Sequence, residues 1–305
     1  MTMMIGIQTG GILDRFGAEG GFRVLREAGF DCVDFGFFDF MSVGDLIRGG
    51  RDSILDKSMD EILSFFRPYK EAAARNGIRF YQTHAPFSTY VKDNPEANEY
   101  LLTVMDKCAE VNAFLDCRYM VVHPAFNAYA DRMEREEEWK LNIERYSRMI
   151  PALKKHSVVC CLENMFVARQ GKVYEACMSD MNEAAAYIDK LNSIAGEERF
   201  AFCYDTGHGL LVGHDPLESL LRLGSRLKTV HIHDNNGWED QHIAPYMGRL
   251  DWDRFVRGMK AIGYRGALCF ESGNTTRMFD PELTPEVLRL TAETGKLFAR
   301  RIEAE

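Results

Sequence analysis

What this sequence has little of narrows its chemistry first. Its 305 residues include eight cysteines, yet no two form a CxxC pair. Of these (Cys32, Cys108, Cys117, Cys160, Cys161, Cys177, Cys203 and Cys269) several sit within apolar, strand-like runs, among them Cys32, Cys160, Cys161, Cys203 and Cys269, where a reduced thiol packs as a small hydrophobe. Glycine, at 25, and proline, at 9, are ordinary in number, which with the cysteine usage excludes collagen-like, disordered and disulfide-scaffold chains. No stretch approaches the roughly 18 apolar residues that span a bilayer. Residues 1–10 lack the basic flank and long apolar segment of a signal peptide, so a cytoplasmic address is expected. Positive charge is also short: 37 Lys and Arg against 46 Asp and Glu leave a formal charge of −9. Such a balance repels phosphate backbones at long range and argues against a nucleic-acid partner. Nor does a glycine-rich phosphate turn follow the first apolar run, since Gln8-Thr9-Gly10-Gly11 offers only a glycine pair. A doubly wound dinucleotide-binding sheet is thereby disfavoured.

What is present is alternation. Short apolar runs at 4–9, 32–37, 79–84, 119–123, 158–163, 200–205, 227–231 and 267–271 are rich in Val, Ile, Phe, Tyr and Cys. They are continuous rather than alternating in polarity, as parallel strands buried on both faces are. Between them lie segments of helical period at 19–28, 59–75, 94–114, 134–156, 180–195, 216–223, 252–262 and 285–302. Gly29 and Asn76-Gly77 are C-cap signals, Pro95 suits a first helical turn, and Pro151 should kink or divide the fourth helix. Eight strand–helix pairs over about 300 residues predict an α/β fold of the single (β/α)8 TIM-barrel type. No Pro/Ser linker, composition shift or short repeat divides the chain, so residues 1–305 are expected to form one domain.

The strand ends carry the chemistry. Runs three to eight close on His84, His123, Glu163, Asp205, His231 and Glu271, with His208 three residues after Asp205. Barrel active sites are built on that rim. Six ionisable groups at one barrel mouth are costly unless a cation neutralises the carboxylates. Glu163, Asp205, His231 and Glu271 make a mixed oxygen–nitrogen shell without thiolate, which suits one Mn²⁺, Mg²⁺, Co²⁺ or Zn²⁺ ion and not a closed structural zinc. His84, His123, His208, Asp240 and His242 remain as substrate contacts, supporting residues or ligands of further ions.

Taken together, Thr-His-Ala-Pro (83–86), Val-His-Pro (122–124), Leu-Glu-Asn (162–164), Asp-Thr-Gly-His (205–208), His-Ile-His-Asp (231–234), Asp-Gln-His (240–242), Gly-Arg-Leu-Asp-Trp (248–252) and Glu271 resemble the xylose-isomerase-like TIM-barrel superfamily. The resemblance covers nearly the whole chain and is to the sugar phosphate isomerase/epimerase branch. It implies a single divalent ion, Mn²⁺ foremost, on Glu163, Asp205, His231 and Glu271. It also implies proton exchange between Glu163, Glu271 and an open-chain ketose or keto-sugar through an enediolate, with His208 on a substrate oxygen. Two positions depart from the ketose 3-epimerases: Arg169 stands where they have Glu, and Gly237 where they have Arg. Arg169 could instead meet an anionic substrate group.

Two other readings stay open. Endonuclease-IV-like apurinic endonucleases share the residue types at His84, His123, Glu163, Asp205, His208, His231, Asp240, His242 and Glu271, where they hold three zinc ions. The −9 charge and the absence of basic, aromatic-studded loops weigh against DNA. A metal-dependent keto-sugar lyase or C-glycoside deglycosidase subunit needs the same base and electrophile. A vestigial metal site is disfavoured because both Glu163 and Glu271 are present. The expected partner is a small sugar, with neither nucleic acid nor membrane, and a homo-oligomer (dimer or tetramer) is compatible. The stretch 38–57 ends near a glycine pair and could be a lid, and Phe87, Phe126, Trp238 and Tyr246 are rim aromatics that could stack on a sugar.

Overall fold

The computed structural model describes residues 3–44, 52–127 and 132–304. Eight parallel strands form one sheet: β1 (Ile5–Gln8), β2 (Cys32–Gly36), β3 (Arg79–His84), β4 (Tyr119–Val122), β5 (Val159–Glu163), β8 (Phe200–Asp205), β9 (Leu227–His231) and β10 (Leu268–Phe270). Their order is β10-β1-β2-β3-β4-β5-β8-β9, and Ile232 closes the ring. Its N–H donates to Cys269 O (2.9 Å) and its carbonyl accepts from Glu271 N (3.0 Å), so the seam closes beside His231 and Glu271. The fold is therefore the (β/α)8 barrel that the alternation predicts.

Helices α1 (Ile12–Ala28), α2 (Met59–Arg75), α3 (Pro95–Phe114), α4 (Arg135–Ser147), α5 (Ile150–His156), α6 (Met181–Ala195), α7 (Thr206–Leu211), α8 (Pro216–Leu223), α9 (Trp252–Ala261), α10 (Asn274–Arg277) and α11 (Thr284–Glu303) follow the strands. Their ends obey local chemistry. Ser58 and Glu61 form a reciprocal capping box on α2, and Asn94, Asp180, Asp215 and Asp251 cap α3, α6, α8 and α9. Pro151 divides the predicted fourth helix into α4 and α5, as its missing N–H requires. Helix α1 starts at Ile12, earlier than predicted, because it continues across a kink at Gly17 (φ 66°). A two-stranded antiparallel hairpin, β6 (Phe166–Arg169) with β7 (Lys172–Glu175), was not foreseen. No described helix is long and apolar enough to cross a membrane.

The strands alternate beneath their uniform apolarity. On β5, Cys160 and Leu162 join the main core against the helices, while Val159 and Cys161 join Val121, Ala201 and Cys203 in a smaller cluster. Cys32, Ala267 and Cys269 form a third. The period of two carries Glu163, Asp205 and Glu271 onto the face of the small clusters, the barrel interior. The cysteines are all buried and unpaired, four of them filling this narrow floor. Gly6 belongs here too: a Cβ at this position would meet Cys269 Sγ at 2.6 Å and Cys32 Sγ at 2.9 Å. Gly6→Ala is expected to lower stability by about 1–3 kcal/mol through overpacking, read as a fall in Tm by circular dichroism; an unchanged Tm would show that the floor has slack.

Candidate metal centre

The residues nominated from the strand ends converge. Glu163, Asp205, His231 and Glu271 place one potential ligand atom each within 4.8 Å of one another. Glu163 Oε1 lies 2.8 Å and Glu271 Oε2 3.1 Å from His231 Nδ1, and Asp205 Oδ2 lies 3.9 Å from it. Glu163 and Asp205 are fully buried. Two further groups adjoin this one. His123 Nε2 and His84 Nε2 approach the other oxygen of Glu163, at 3.3 and 3.5 Å. On the far side, His208, His233, Asp240 and His242 gather, Asp240 Oδ2 lying 2.8 Å from His242 Nε2 and 3.5 Å from His208 Nε2.

Each side chain is aimed by its surroundings. Asp205 ends β8 and caps α7, accepting the N–H of His208 at 2.6 Å, which fixes the Asp-Thr-Gly-His spacing. Asn164 exchanges two hydrogen bonds with the Asp205 backbone (2.8 and 2.9 Å) and accepts His208 Nδ1–H on its own carbonyl (2.8 Å). Gln8, at the end of β1, donates to Glu271 Oε1 at 2.5 Å, leaving Oε2 for the cluster. Asp234 gathers the N–H groups of Asn235, Arg249 and Leu250 and the indole N–H of Trp252, pinning the loop that carries Asp240 and His242. Gly248 is obligatory in that knot, because a Cβ there would sit 2.3 Å from Asp234 Oδ1.

Of the other nominated residues, Arg169 is not among the ligand groups. It stands at the exposed end of the β6–β7 hairpin and lines a separate cavity of about 560 Å³ with Arg132, Arg135, Val167, Gln170, Tyr174 and Glu175. Phe87 stacks on His123 (4.8 Å) and Phe38 packs edge-on against His84 (5.3 Å), forming an apolar wall beside the two histidines. Phe126 packs against Met165 and Val167, Tyr246 lies against Trp252 and Phe298, and Trp238 is 73% exposed. Within the stretch considered as a lid, residues 45–51 and their glycine pair lie outside the described residues. Sequence reasoning missed Gln8, Asp34, Gln82, Asn164 and His233. For Asp34 the available signal was a lone acid inside the apolar run Cys-Val-Asp-Phe; for His233 it was the i, i+2 spacing from His231 on one strand face.

The charges are strongly coupled. Burial disfavours ionised Glu163, but His231 and the imidazoles of His123 and His84 outweigh it and hold the carboxyl well below its ordinary range. Burial likewise opposes the cations at His208 and His231, yet Asp205 and Asp240 raise the first, and Cys203, Glu271 and Glu163 the second, well above a free imidazole. His84 is raised against burial by Glu163, whereas burial prevails at His123 and lowers it. For His242, Glu271 and Asp240 overcome burial and lift it to about 9, while Asp240 is held far below a normal carboxyl, against its own burial, by His208 and His242. Cys203 also lies within reach of Glu163 and His231, but burial pushes it up to about 12, so it stands as a neutral thiol.

These fully buried carboxylates fit a divalent cation. Glu163 Oε2 and Asp240 Oδ1 are buried without a hydrogen-bond partner, the first facing Nε2 of His84 and His123 and the second Nε2 of His233 at 4.0 Å. Metal-free protein must instead rely on protonated histidines. Their stabilisation is complete below the free-imidazole pKa near 6.5 and is lost as pH rises through the raised folded values. The lowered carboxyls act oppositely, losing their contribution in acid. The Tm of chelator-treated protein is therefore expected to be highest near pH 5–6.5 and to fall towards pH 9–10, by scanning calorimetry; a flat profile between pH 6.5 and 9.5 would contradict this assignment.

Known proteins share this architecture. The chain matches the family described as xylose isomerase-like TIM barrel over residues 22–294. An uncharacterised protein of Methanocaldococcus jannaschii is 28% identical over 200 residues, 63% of this chain and 64% of that protein. An inosose dehydratase of Geobacillus kaustophilus is 27% identical over 124 residues, 39% of each. The chain thus spans less than two thirds of the length of either relative. Among solved structures, D-allulose 3-epimerase from Methylomonas sp. superposes with a TM-score of 0.71 at 18% identity, covering 97% of this chain and 98% of that one. The 3-keto-D-glucoside 4-epimerase of E. coli gives 0.69 at 16%, covering 96% and 99%. The IOLI protein, solved with a bound zinc atom, gives 0.67 at 17%, covering 98% of both. At these identities the structural likeness speaks to the fold, and the family match, spanning most of the barrel and every strand-end residue from His84 to Glu271, makes this chain a member of the xylose isomerase-like TIM barrel family.

Proposed function

We propose that the chain is a divalent-metal-dependent isomerase or epimerase of ketoses or keto-sugars, working by proton transfer through an enediolate. The observation that carries the reading is the convergence of Glu163 and Glu271, from strands separated by β8 and β9, on one imidazole nitrogen, 2.8 and 3.1 Å from His231 Nδ1. Glu163, Asp205, His231 and Glu271 would hold one ion, Mn²⁺ first, which supplies electrophilic polarisation of a carbonyl and its neighbouring hydroxyl. Of the two carboxylates, one removes the proton beside the substrate carbonyl and the other returns one, which inverts the centre when they face opposite sides of the chain. Gln8 keeps one oxygen of Glu271 occupied, so Oε2 is the atom that takes part. His208, braced on the Asn164 carbonyl, is placed to hold a substrate oxygen. Phe38 and Phe87 offer an apolar face beside His84 and His123. The named activities of the two epimerases above are of this class.

Two observations favour other outcomes of the same site. The inosose dehydratase relative favours β-elimination, which shares the first proton abstraction. The flanking groups around His84–His123 and His208–Asp240–His242 favour a three-zinc hydrolase, against which the −9 charge of the chain stands. Metal analysis of protein purified without chelator separates them: about one Mn, Mg or Co per chain is expected, and three Zn per chain would favour the hydrolase. In D₂O, candidate ketoses are expected to gain deuterium beside the carbonyl without loss of water or cleavage. Glu163→Gln and Glu271→Gln are each expected to lower turnover by about 10²–10⁴-fold, with Glu271→Gln also weakening metal binding. Near-wild-type turnover in either variant defeats the two-carboxylate mechanism.

A further inference from the structure

An imidazole has two nitrogens, and what holds one decides what the other offers. His84, His208 and His242 are held alike. Nδ1 lies 2.8 Å from Ala85 O, 2.8 Å from Asn164 O and 3.1 Å from Glu271 O respectively, so Nδ1–H donates outward to a carbonyl and Nε2 faces a carboxylate. His231 is turned the other way. Its Nδ1 faces Glu163 and Glu271, and its Nε2 lies 2.7 Å from Oδ2 of Asp34.

Asp34 stands in the middle of β2, fully buried, and belongs to none of the ligand groups found among the described residues. Gln82 Nε2 donates to the same Oδ2 at 3.1 Å. The pairing of β2 with β3 steps from Val33↔Phe80 to Asp34↔Gln82, skipping Tyr81, and this irregularity turns Gln82 towards Asp34. The other oxygen, Oδ1, is buried without a hydrogen-bond partner.

We infer that Asp34 is the positioning residue of His231: its carboxylate takes Nε2–H, fixes the tautomer that leaves Nδ1 for a cation, and strengthens that nitrogen as a donor. The inference rests on the metal centre proposed above. Orientation alone needs no charge, since backbone carbonyls orient the other three imidazoles. A buried carboxylate with one unpartnered oxygen adds little to a fold beyond its ion pair, here with His231. What Asp34 adds over a carbonyl is negative charge, passed through the ring to Nδ1. Gln82, a neutral donor, holds Oδ2 in place without cancelling that charge.

The test compares Asp34→Asn with the wild-type chain, both metal-free, titrated with Mn²⁺ and with Zn²⁺ against a chromophoric chelator. The dissociation constant is expected to rise about 10–100-fold in the variant, while the metal-free variant still folds but with a lower Tm near pH 6, where the charge facing protonated His231 has been lost. The Tm gain on adding the ion shrinks in step. Equal affinity in a folded variant overturns the role of Asp34 and leaves the metal centre standing. A wild-type chain that takes up no divalent ion overturns both. Independently of any variant, ¹⁵N-edited spectra of the Zn²⁺-loaded wild-type protein are expected to show a proton on Nε2 of His231 and none on Nδ1; the reverse tautomer overturns the assignment.

Discussion

Asp34, Glu163 and Asp205 have no exposed surface, and each stands at or next to the mouth of the barrel. Carboxylates so placed cannot remain charged without a counter-charge, and the local architecture follows from that constraint. Six of the chain's eight histidines, His84, His123, His208, His231, His233 and His242, surround them. The rings are close: His84 and His231 stack at 5.4 Å, His233 and His242 at 4.1 Å. Stacked imidazoles tolerate shared protons poorly, because each added proton repels the last. A divalent ion delivers the same neutralisation in one place and leaves the rings neutral. Protons and the proposed ion would thus compete for one set of lone pairs, and uptake at this centre would tighten as pH rises.

The residues that make the site also make the fold. Asp205 is at once a member of the ligand group and the cap of α7, and Glu271 N–H closes the barrel seam through Ile232. Asp234 never reaches the cluster, yet its oxygens hold the loop bearing Asp240 and His242 against Trp252. Truncating any of these side chains mixes lost chemistry with lost structure. Amide replacements that keep shape and remove charge are therefore the informative ones.

How much of this was legible depended on the period of the strands. In a run such as Val159–Glu163 the apolar residues face both ways, but the last residue must share a face with the residues two and four before it. Their place at the C-terminal ends of successive runs is what put Glu163, Asp205, His231 and Glu271 on one rim, and the period of two is what turns them inward. The sequence was silent about β1 and β2, because an amide at Gln8 and a lone acid at Asp34 carry no ligand signature by themselves. Their meaning comes from Glu271 and His231, reached across the ring at sequence separations of 263 and 197. Arg169, six residues after Glu163, reads from the sequence as a contact for an anionic substrate group; it stands on the β6–β7 hairpin and lines a cavity with Arg132 and Arg135. The hairpin strands are short and half exposed, so they leave too little apolar pattern to be seen in the sequence.

The two oxygens of Glu163 connect metal count to chemistry. Oε1 faces His231, and Oε2 faces His84 and His123 at 3.5 and 3.3 Å with no aligned hydrogen bond. If the central group holds one ion, Glu163 would be one of its ligands and its Oε2, beside the imidazoles of His84 and His123, would remain able to take a proton. If His84, His123 and Glu163 held a second ion, that carboxylate would be committed to metal and lose its basicity. Glu163 can therefore be a base in proton transfer or a bridge between ions in hydrolysis, but not both. The apolar wall of Phe38 and Phe87 against those histidines adds weight to the first arrangement, since it limits the water and charged groups that a second ion would require around it. The choice between a sugar isomerase and a multi-metal hydrolase, which overall charge decides only at long range, thus reduces at short range to what occupies the space between Oε2 of Glu163 and the two imidazoles.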